Sequence, residues 1–298
     1  MKNGITPVDP ATFFPNRFLG KTLFVTGAAH GSIGGATAER AAKEGARVFC
    51  VDRKPEALRK TVNEITAIGG TAIGHLADIS DPHAAQGAVD ACVQQFGGLH
   101  LVLNAAGVMD GNDPALPPDF ENTTHLLPAP LHAATDAYWH NVMNANINGM
   151  FFCMRAQLRQ MMAQETGGAI VNIGSIAGLT GLPGNPAYSA SKHAVTGLTR
   201  NAAIDYAAHG IRINSVNMAQ TDTPMVFRAM EFVKWAMEKG MGSGMASFKS
   251  ASLLAAHEPD KRGATPWEQA AIILFLLSPD ASNITGACLA TDGGWTAF

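Results

Sequence analysis

The sequence predicts an α/β fold: a single doubly wound parallel sheet with helices on both faces. From about residue 21 onward, short apolar runs alternate with segments of helical length, the pattern of successive βαβ units. Those runs are apolar throughout rather than alternating, as strands buried on both faces are. A glycine-rich turn joins the first run to the first helix, where such a sheet approaches an anionic ligand.

Residues 1–20 carry Pro7, Pro10 and Pro15 and read as an extension lying on the surface. Residues 21–298 read as one domain. Leu23–Thr26 is the first strand, Ile33–Glu44 an Ala-rich helix and Ala46–Val51 the second strand. Pro55–Ile68 is a helix with Pro at its start and Gly69-Gly70 at its stop. Thr71–Leu76 follows as a strand, Pro82–Phe96 as a helix and Leu99–Leu103 as a strand. Residues 108–136 break the rhythm with five prolines, and a loop of that length inside a domain is usually functional or disordered. Asp136–Ala163 reads as one long helix, Ala169–Ile173 as a strand, Ala187–Ala208 as a helix and Ile211–Val216 as a strand. Residues 222–262 form a second irregular insertion, helical in part; Pro266–Leu277 is a helix and Ala287–Ala290 the final strand.

Composition narrows the function classes. The 298 residues are 47% hydrophobic but only 15% charged, against about 25% in an average soluble domain. A surface so poor in charge predicts burial against identical subunits, here a homotetramer. The net charge of −3 and pI near 6.3 leave no basic footprint for nucleic acid and no polybasic membrane patch. Mean hydropathy is +0.06 without a spanning apolar run, and the N-terminus has no apolar core of a signal peptide. Cys50, Cys92, Cys153 and Cys288 lie far apart in apolar contexts and read as reduced core residues of a cytoplasmic protein. The histidines show no zinc spacing, so no metal is expected, and His193 reads as a helix-packing residue.

The turn after the first strand holds Gly27, Gly31 and Gly34, with Ser32 and Ile33 leading into the helix. Glycines there let the backbone approach a pyrophosphate, and the helix N-terminus favours its charge. An ordinary tight turn is the competing reading. The second strand ends at Asp52, 18 residues past Gly34, near the roughly 20 expected of a carboxylate gripping the adenosine ribose hydroxyls. A carboxylate there repels a 2′-phosphate and predicts NAD over NADP. Arg53 follows directly and could offset that repulsion.

These features resemble the short-chain dehydrogenase/reductase family, whose Rossmann-type fold matches the predicted sheet, and the resemblance extends over about residues 20–294. The glycine spacing is one residue longer than the family's usual TGxxxGxG. By the same resemblance, Asp78-Ile79 would meet the adenine, Asn104-Ala105-Ala106-Gly107 would brace the sheet beside the cofactor, and Asn146 would be the helix Asn associated with a kink and a bound water. Met218-Ala219 stand where the family carries Pro-Gly, leaving Thr221 and Thr223 as the candidates for the carboxamide. Thr291-Asp292-Gly293-Gly294 resembles the strand-end motif of a subunit interface.

Tyr188 and Lys192 are four apart, one turn along one helix face. A free phenol has pKa near 10 and is a poor base at neutral pH. A neighbouring ammonium, and the charge of an oxidised nicotinamide, favour the phenolate, so Tyr188 can take a hydroxyl proton while hydride leaves the same carbon. Lys192 would also reach the nicotinamide ribose. Ser175 follows a strand end, 13 residues before Tyr188, and can stabilise charge on a substrate oxygen; a loop Ser satisfying its own turn is the plain alternative. Gly174-Ser175-Ile176-Ala177-Gly178 lacks the Gly two before Ser that a hydrolase elbow requires.

The second insertion holds Met225, Met230, Met237, Met241 and Met245 with Phe227, Phe232, Trp235 and Phe248. It reads either as a lid packing on its own body or a neighbour, or as an adaptable apolar cover over a bulky hydrophobic alcohol or ketone. The expected function is NAD-dependent interconversion of such a secondary alcohol and its ketone. An NADPH-linked 3-oxoacyl reductase and a non-catalytic dinucleotide-binding regulator are the alternatives.

Overall fold

The computed structural model describes residues 7–240 and 262–297. Met241, Met245 and Phe248 of the second insertion lie outside the described residues.

Among the described residues seven parallel strands form one sheet in the order β3-β2-β1-β4-β5-β6-β7. They are β1 (Thr22–Thr26), β2 (Arg47–Asp52), β3 (Thr71–Leu76), β4 (Leu101–Asn104), β5 (Gly168–Ile173), β6 (Ile211–Met218) and β7 (Cys288–Thr291). The chain winds outward from β1 to β3, then returns to β4 beside β1. That reversal opens the crevice at the carboxyl ends of β1 and β4. The register sets Thr26 beside both Val51 and Asn104, so these strand ends lie level.

Helices cover both faces. On one, α1 (Ile33–Lys43), α2 (Pro55–Ala67) and α8 (Pro266–Leu277) bury Ala38, Leu58 and Ile273 against Val25, Val48 and Val171. On the other, α3 (Pro82–Phe96), α5 (Gly149–Gln164) and α6 (Pro186–Tyr206) bury Val89, Met154 and Val195 against Phe24, Val102 and Ile170. Successive β-strand residues point to opposite faces, so the apolar runs of β1 and β4 feed both cores. Thr265 and Glu268 form a capping box that starts α8, and Arg212 closes its end by donating to the Leu276 and Ser278 carbonyls at 2.7 and 2.9 Å.

The structure departs from the sequence expectations in four places. The helix expected over Asp136–Ala163 is interrupted: α4 (Asp136–Met143) and α5 flank a π-helical segment, Asn144–Asn148. The apolar period runs on through it, so periodicity does not mark the break. The edge strand β3 is not buried on both faces; Thr71, Gly74 and Leu76 are exposed, and among the described residues no strand pairs with its outer side. Cys288 is only half-buried, on the opposite edge strand β7, whereas Cys50, Cys92 and Cys153 are core residues whose thiols burial pushes up to about 12. The N-terminal extension is anchored: Phe18 is buried in the core, its amide donates to the Glu44 carbonyl at 2.8 Å, and Arg17 and Arg40 both engage the buried Glu44 carboxylate. Among the described residues no helix is long and apolar enough to cross a membrane.

Candidate active site

A cavity of about 1060 Å³ opens over the carboxyl ends of the strands, where the sheet reverses. Its floor at one end is the glycine turn. Gly27 has φ +70°, and a Cβ there would stand 2.7 Å from the backbone of Ala105 and Ala106. A Cβ on Gly34 would stand 2.3 Å from the Gly27 carbonyl. Only glycine lets α1 approach β1 this closely. Ser32 caps α1, accepting from the Gly35 amide at 3.0 Å and donating to the Gly27 and Ala29 carbonyls. Its hydroxyl is thus spent on the turn. Among the described residues the Ile33 amide, which borders the cavity, has no acceptor at the start of α1 and suits an anion. Gly31 and Gly34 shape the turn without lining the cavity.

At the end of β2, Asp52 accepts from the Ala29 and Lys54 amides, each at 2.9 Å. Each carboxylate oxygen has a second lone pair, so the group retains capacity for further donors. Arg53 does not turn to Asp52: it pairs with Asp78, at 3.3 Å, and with Asp113. Ile79, Ala105, Ala106 and Gly107 line the same end. Asn104 does not. Its side chain is buried in the sheet, exchanging hydrogen bonds with Gln157 at 3.1 and 2.9 Å and donating to Asn172 at 3.0 Å. It braces β4 and α5 without touching the cavity.

Tyr188, Lys192 and Ser175 converge on the middle of the cavity. The Ser175 hydroxyl stands where it favours the Tyr188 phenolate, and it accepts from the Ala177 amide at 3.1 Å. Lys192 Nζ donates to the Ile173 carbonyl at 2.8 Å and lies 5.6 Å from the Tyr188 ring centre. Burial drives the Lys192 ammonium down to about 8. Burial likewise raises the Tyr188 phenol above its ordinary range, with Ser175 pulling the other way. The expectation that Lys192 lowers the phenol is therefore not met by the protein alone. Desolvation dominates, and the opposing influence comes from Ser175.

Asn146 sits in the π-helical segment, fully buried. Its side chain accepts from the Val108 amide at 2.7 Å and donates to the Val108 carbonyl at 2.9 Å and to Ser191 at 3.0 Å. It thereby ties the start of the 108–136 loop to α6, and it does not line the cavity. Thr221 and Thr223 do line it. Thr221 accepts from Gln269 at 3.3 Å, and Thr223 caps α7 (Pro224–Glu238).

The two insertions form one cover. Phe120 and Leu127 of the loop pack on Phe232 and Ala236 of α7, with the Phe120 and Phe232 rings 5.8 Å apart. Arg228 donates to Asp110 at 3.2 Å and to the Leu116 carbonyl at 3.0 Å, and Trp235 donates to Glu121 at 3.1 Å. Facing the cavity are Met109, Leu182, Met225, Val226, Met230 and Trp295.

Residues 21–233 match the family model of the short chain dehydrogenases. The chain belongs to the short-chain dehydrogenase family. It is an oxidoreductase acting on a CH–OH group. A 3beta-hydroxysteroid dehydrogenase of Mediterraneibacter gnavus is 38% identical over 96% of this chain and 98% of its own length. A cyclohexanol dehydrogenase of Acinetobacter sp. is 36% identical over 95% and 97%. The crystal structure of an NAD+-bound xylitol dehydrogenase, 30% identical, covers 93% of this chain and 99% of its own with a TM-score of 0.79.

The sequence reading of this dehydrogenase missed Asn217. Its Oδ1 accepts from the Ser175 amide at 3.3 Å, and a Cβ on Gly174 would lie 2.0 Å from that oxygen. A polar residue inside the buried strand β6, near its carboxyl end, is the signal that could have found it. It also missed Asp110 and Asp113, which lie in a loop with no period to place them. His193, expected to pack, is exposed on α6.

Proposed function

We propose that this dehydrogenase interconverts a bulky hydrophobic secondary alcohol and its ketone with NAD, using Tyr188 as the acid/base. The observation that carries the proposal is the Ser175–Tyr188–Lys192 cluster in a cavity that also holds a glycine turn with Asp52 and, away from that turn, Met109, Met225, Met230 and Phe227. The cradle suits a dinucleotide: no side chain fits at Gly27 or Gly34, and the first amide of α1, at Ile33, borders the cavity. The cofactor, when bound, supplies the hydride acceptor and, oxidised, a positive charge beside the phenol.

Ser175 holds the substrate oxygen, and Tyr188 removes its proton as the C–H bond gives up hydride. In the reverse direction Tyr188 returns that proton to the ketone oxygen. Lys192, fixed to the Ile173 carbonyl, keeps a positive charge near the phenol below about pH 8. Asn146 anchors α6 to the loop and so fixes the distance between Tyr188 and the cofactor end. Met109, Met225 and Met230 suit an alicyclic or steroid-like body, since Met adapts to irregular apolar surfaces. The substrates named for the steroid and cyclohexanol relatives favour the same class. Assembly as a homotetramer belongs to this proposal; Phe151 on α5 and Leu289 on β7 are exposed apolar residues that subunit contact would cover.

Cofactor choice is the direct test. Two ribose hydroxyls can share the Asp52 carboxylate, whereas a 2′-phosphate would set two anions together in a partly shielded cleft. NAD is expected to exceed NADP in kcat/KM by at least about tenfold with a panel of cyclic secondary alcohols. Asp52→Ala should erode that ratio by weakening NAD and relieving NADP. Equal kcat/KM for the two cofactors in the unaltered enzyme would show that Asp52 does not face the ribose.

A further inference from the structure

Arg53 is the residue that could undo the cofactor preference set by Asp52. Its guanidinium is long enough to hold a phosphate bidentately, and it begins one residue from the carboxylate. The structure shows it occupied. One terminal nitrogen donates to Asp78 Oδ2 at 3.3 Å and the other to Asp113 Oδ1.

Both carboxylates have partners besides Arg53. Asp78 Oδ1 accepts from the Ser80 amide at 3.0 Å and the Ser80 hydroxyl at 2.7 Å. Asp113 Oδ1 accepts from the Ala115 amide at 2.9 Å. Asp78 follows β3, while Asp113 comes from the 108–136 loop, 60 residues along the chain from Arg53. That loop is in turn fastened to α7 through Asp110 and Arg228. The loop therefore does two things: it carries part of the substrate cover and delivers a carboxylate to the opposite end of the cleft.

We propose that Asp113 is a cofactor-specificity residue: with Asp78 it keeps the Arg53 guanidinium engaged, so that no arginine is free to neutralise a 2′-phosphate beside Asp52. This rests on the reading of Asp52 as the ribose-binding carboxylate. Asp113 acts through Arg53 and is a positioning residue. The rule it implements is double: Asp52 repels the phosphate, and Asp113 withholds the cation that would compensate. Lys54 is the other cation at this end, standing near Asp52, Arg53, Arg228 and Asp113, so the test must separate the two.

The experiment measures NAD and NADP binding by calorimetry without alcohol, in the wild type, Asp113→Asn, Arg53→Ala and the double variant. Thermal unfolding confirms that each is folded. Asp113→Asn should tighten NADP by about three- to tenfold, the scale of one charge-assisted hydrogen bond gained at a half-exposed site, with NAD changed by less than about twofold. In the double variant NADP affinity should fall back to the Arg53→Ala value. An unchanged NADP-to-NAD ratio in Asp113→Asn overturns the inference. So does a gain that survives without Arg53, which would assign it to Lys54 or to the lost negative charge alone. Equal binding of both cofactors by the wild type is a different failure, which removes the Asp52 reading and this inference with it.

Discussion

Tyr188→Phe is expected to lower turnover of every accepted alcohol by about 10²–10⁴-fold while leaving NAD binding close to wild type. The ring is buried in a small cluster with Tyr138, Val142, Ala177 and Ala187. Phenylalanine keeps that packing and opens no cavity, so the loss isolates the hydroxyl. Steady-state rates together with NAD calorimetry separate the proton role from a folding defect. A fall in turnover smaller than about tenfold would exclude direct proton transfer by Tyr188. The pH dependence carries a sign as well. Burial raises this phenol, so the basic form needed for alcohol oxidation grows as pH rises, and the acid form needed for ketone reduction is lost. Oxidation should therefore increase into the alkaline range and reduction decrease. Since Ser175 is the group pulling the phenol down, Ser175→Ala should move both limbs to higher pH in addition to slowing the reaction.

Much of the fold is legible in the sequence because a doubly wound sheet writes itself as apolar runs of strand length. β1 and β2 are buried on both faces and carry the unbroken apolar stretches Leu23–Val25 and Val48–Val51. β3 is a helix-flanked edge, where one side lacks a neighbouring strand among the described residues, and no run of residue types states that in advance. The π-helical turn at Asn144–Asn148 is invisible for another reason: the buried positions Tyr138, Val142, Asn146, Met150 and Met154 are four apart, a spacing an ordinary helix also uses, yet the turn changes how the backbone and Asn146 meet the loop.

The candidate site divides in the same way. Tyr188 and Lys192 are adjacent on one helix, so their meeting follows from the 3.6-residue period. Ser175 joins them because strand ends converge on the crevice. Arg53, Asp113 and Asn217 act through contacts 25 to 60 residues distant in sequence; the Arg53–Asp113 pair depends on how an aperiodic loop drapes across the cleft. The electrostatics of this pair are not legible in the sequence for a physical reason. Sequence proximity of Lys192 to Tyr188 suggests an attraction that lowers the phenol, but spacing says nothing about burial, and desolvation is the largest influence on both groups.

That desolvation makes Lys192 a stability liability with a defined pH window. Lys192 is 4% exposed and its ammonium is held by the Ile173 carbonyl. Its pKa falls from 10.5, the ordinary value, to about 8, lowered by burial. The unfolded chain therefore binds a proton at this residue between about 8 and 10.5 that the folded protein has released, so stability must rise with pH across that window. Below about 8 both states are protonated and the penalty is fully present; above 10.5 both are neutral and it is gone. The span corresponds to about 3 kcal/mol. Other thiols, phenols and lysines titrate in the same range, so wild-type stability alone cannot isolate the effect. The difference between wild type and Lys192→Met can, because every other group cancels to first order. Urea unfolding of both proteins should show the wild type gaining about 3 kcal/mol on the variant as pH climbs through the window. The same substitution should cut turnover, since it removes the cation beside Tyr188. A difference that stays flat with pH would mean that Lys192 keeps its ordinary pKa in the folded enzyme. A rising difference together with lost activity would identify a buried charge retained for catalysis at the expense of stability.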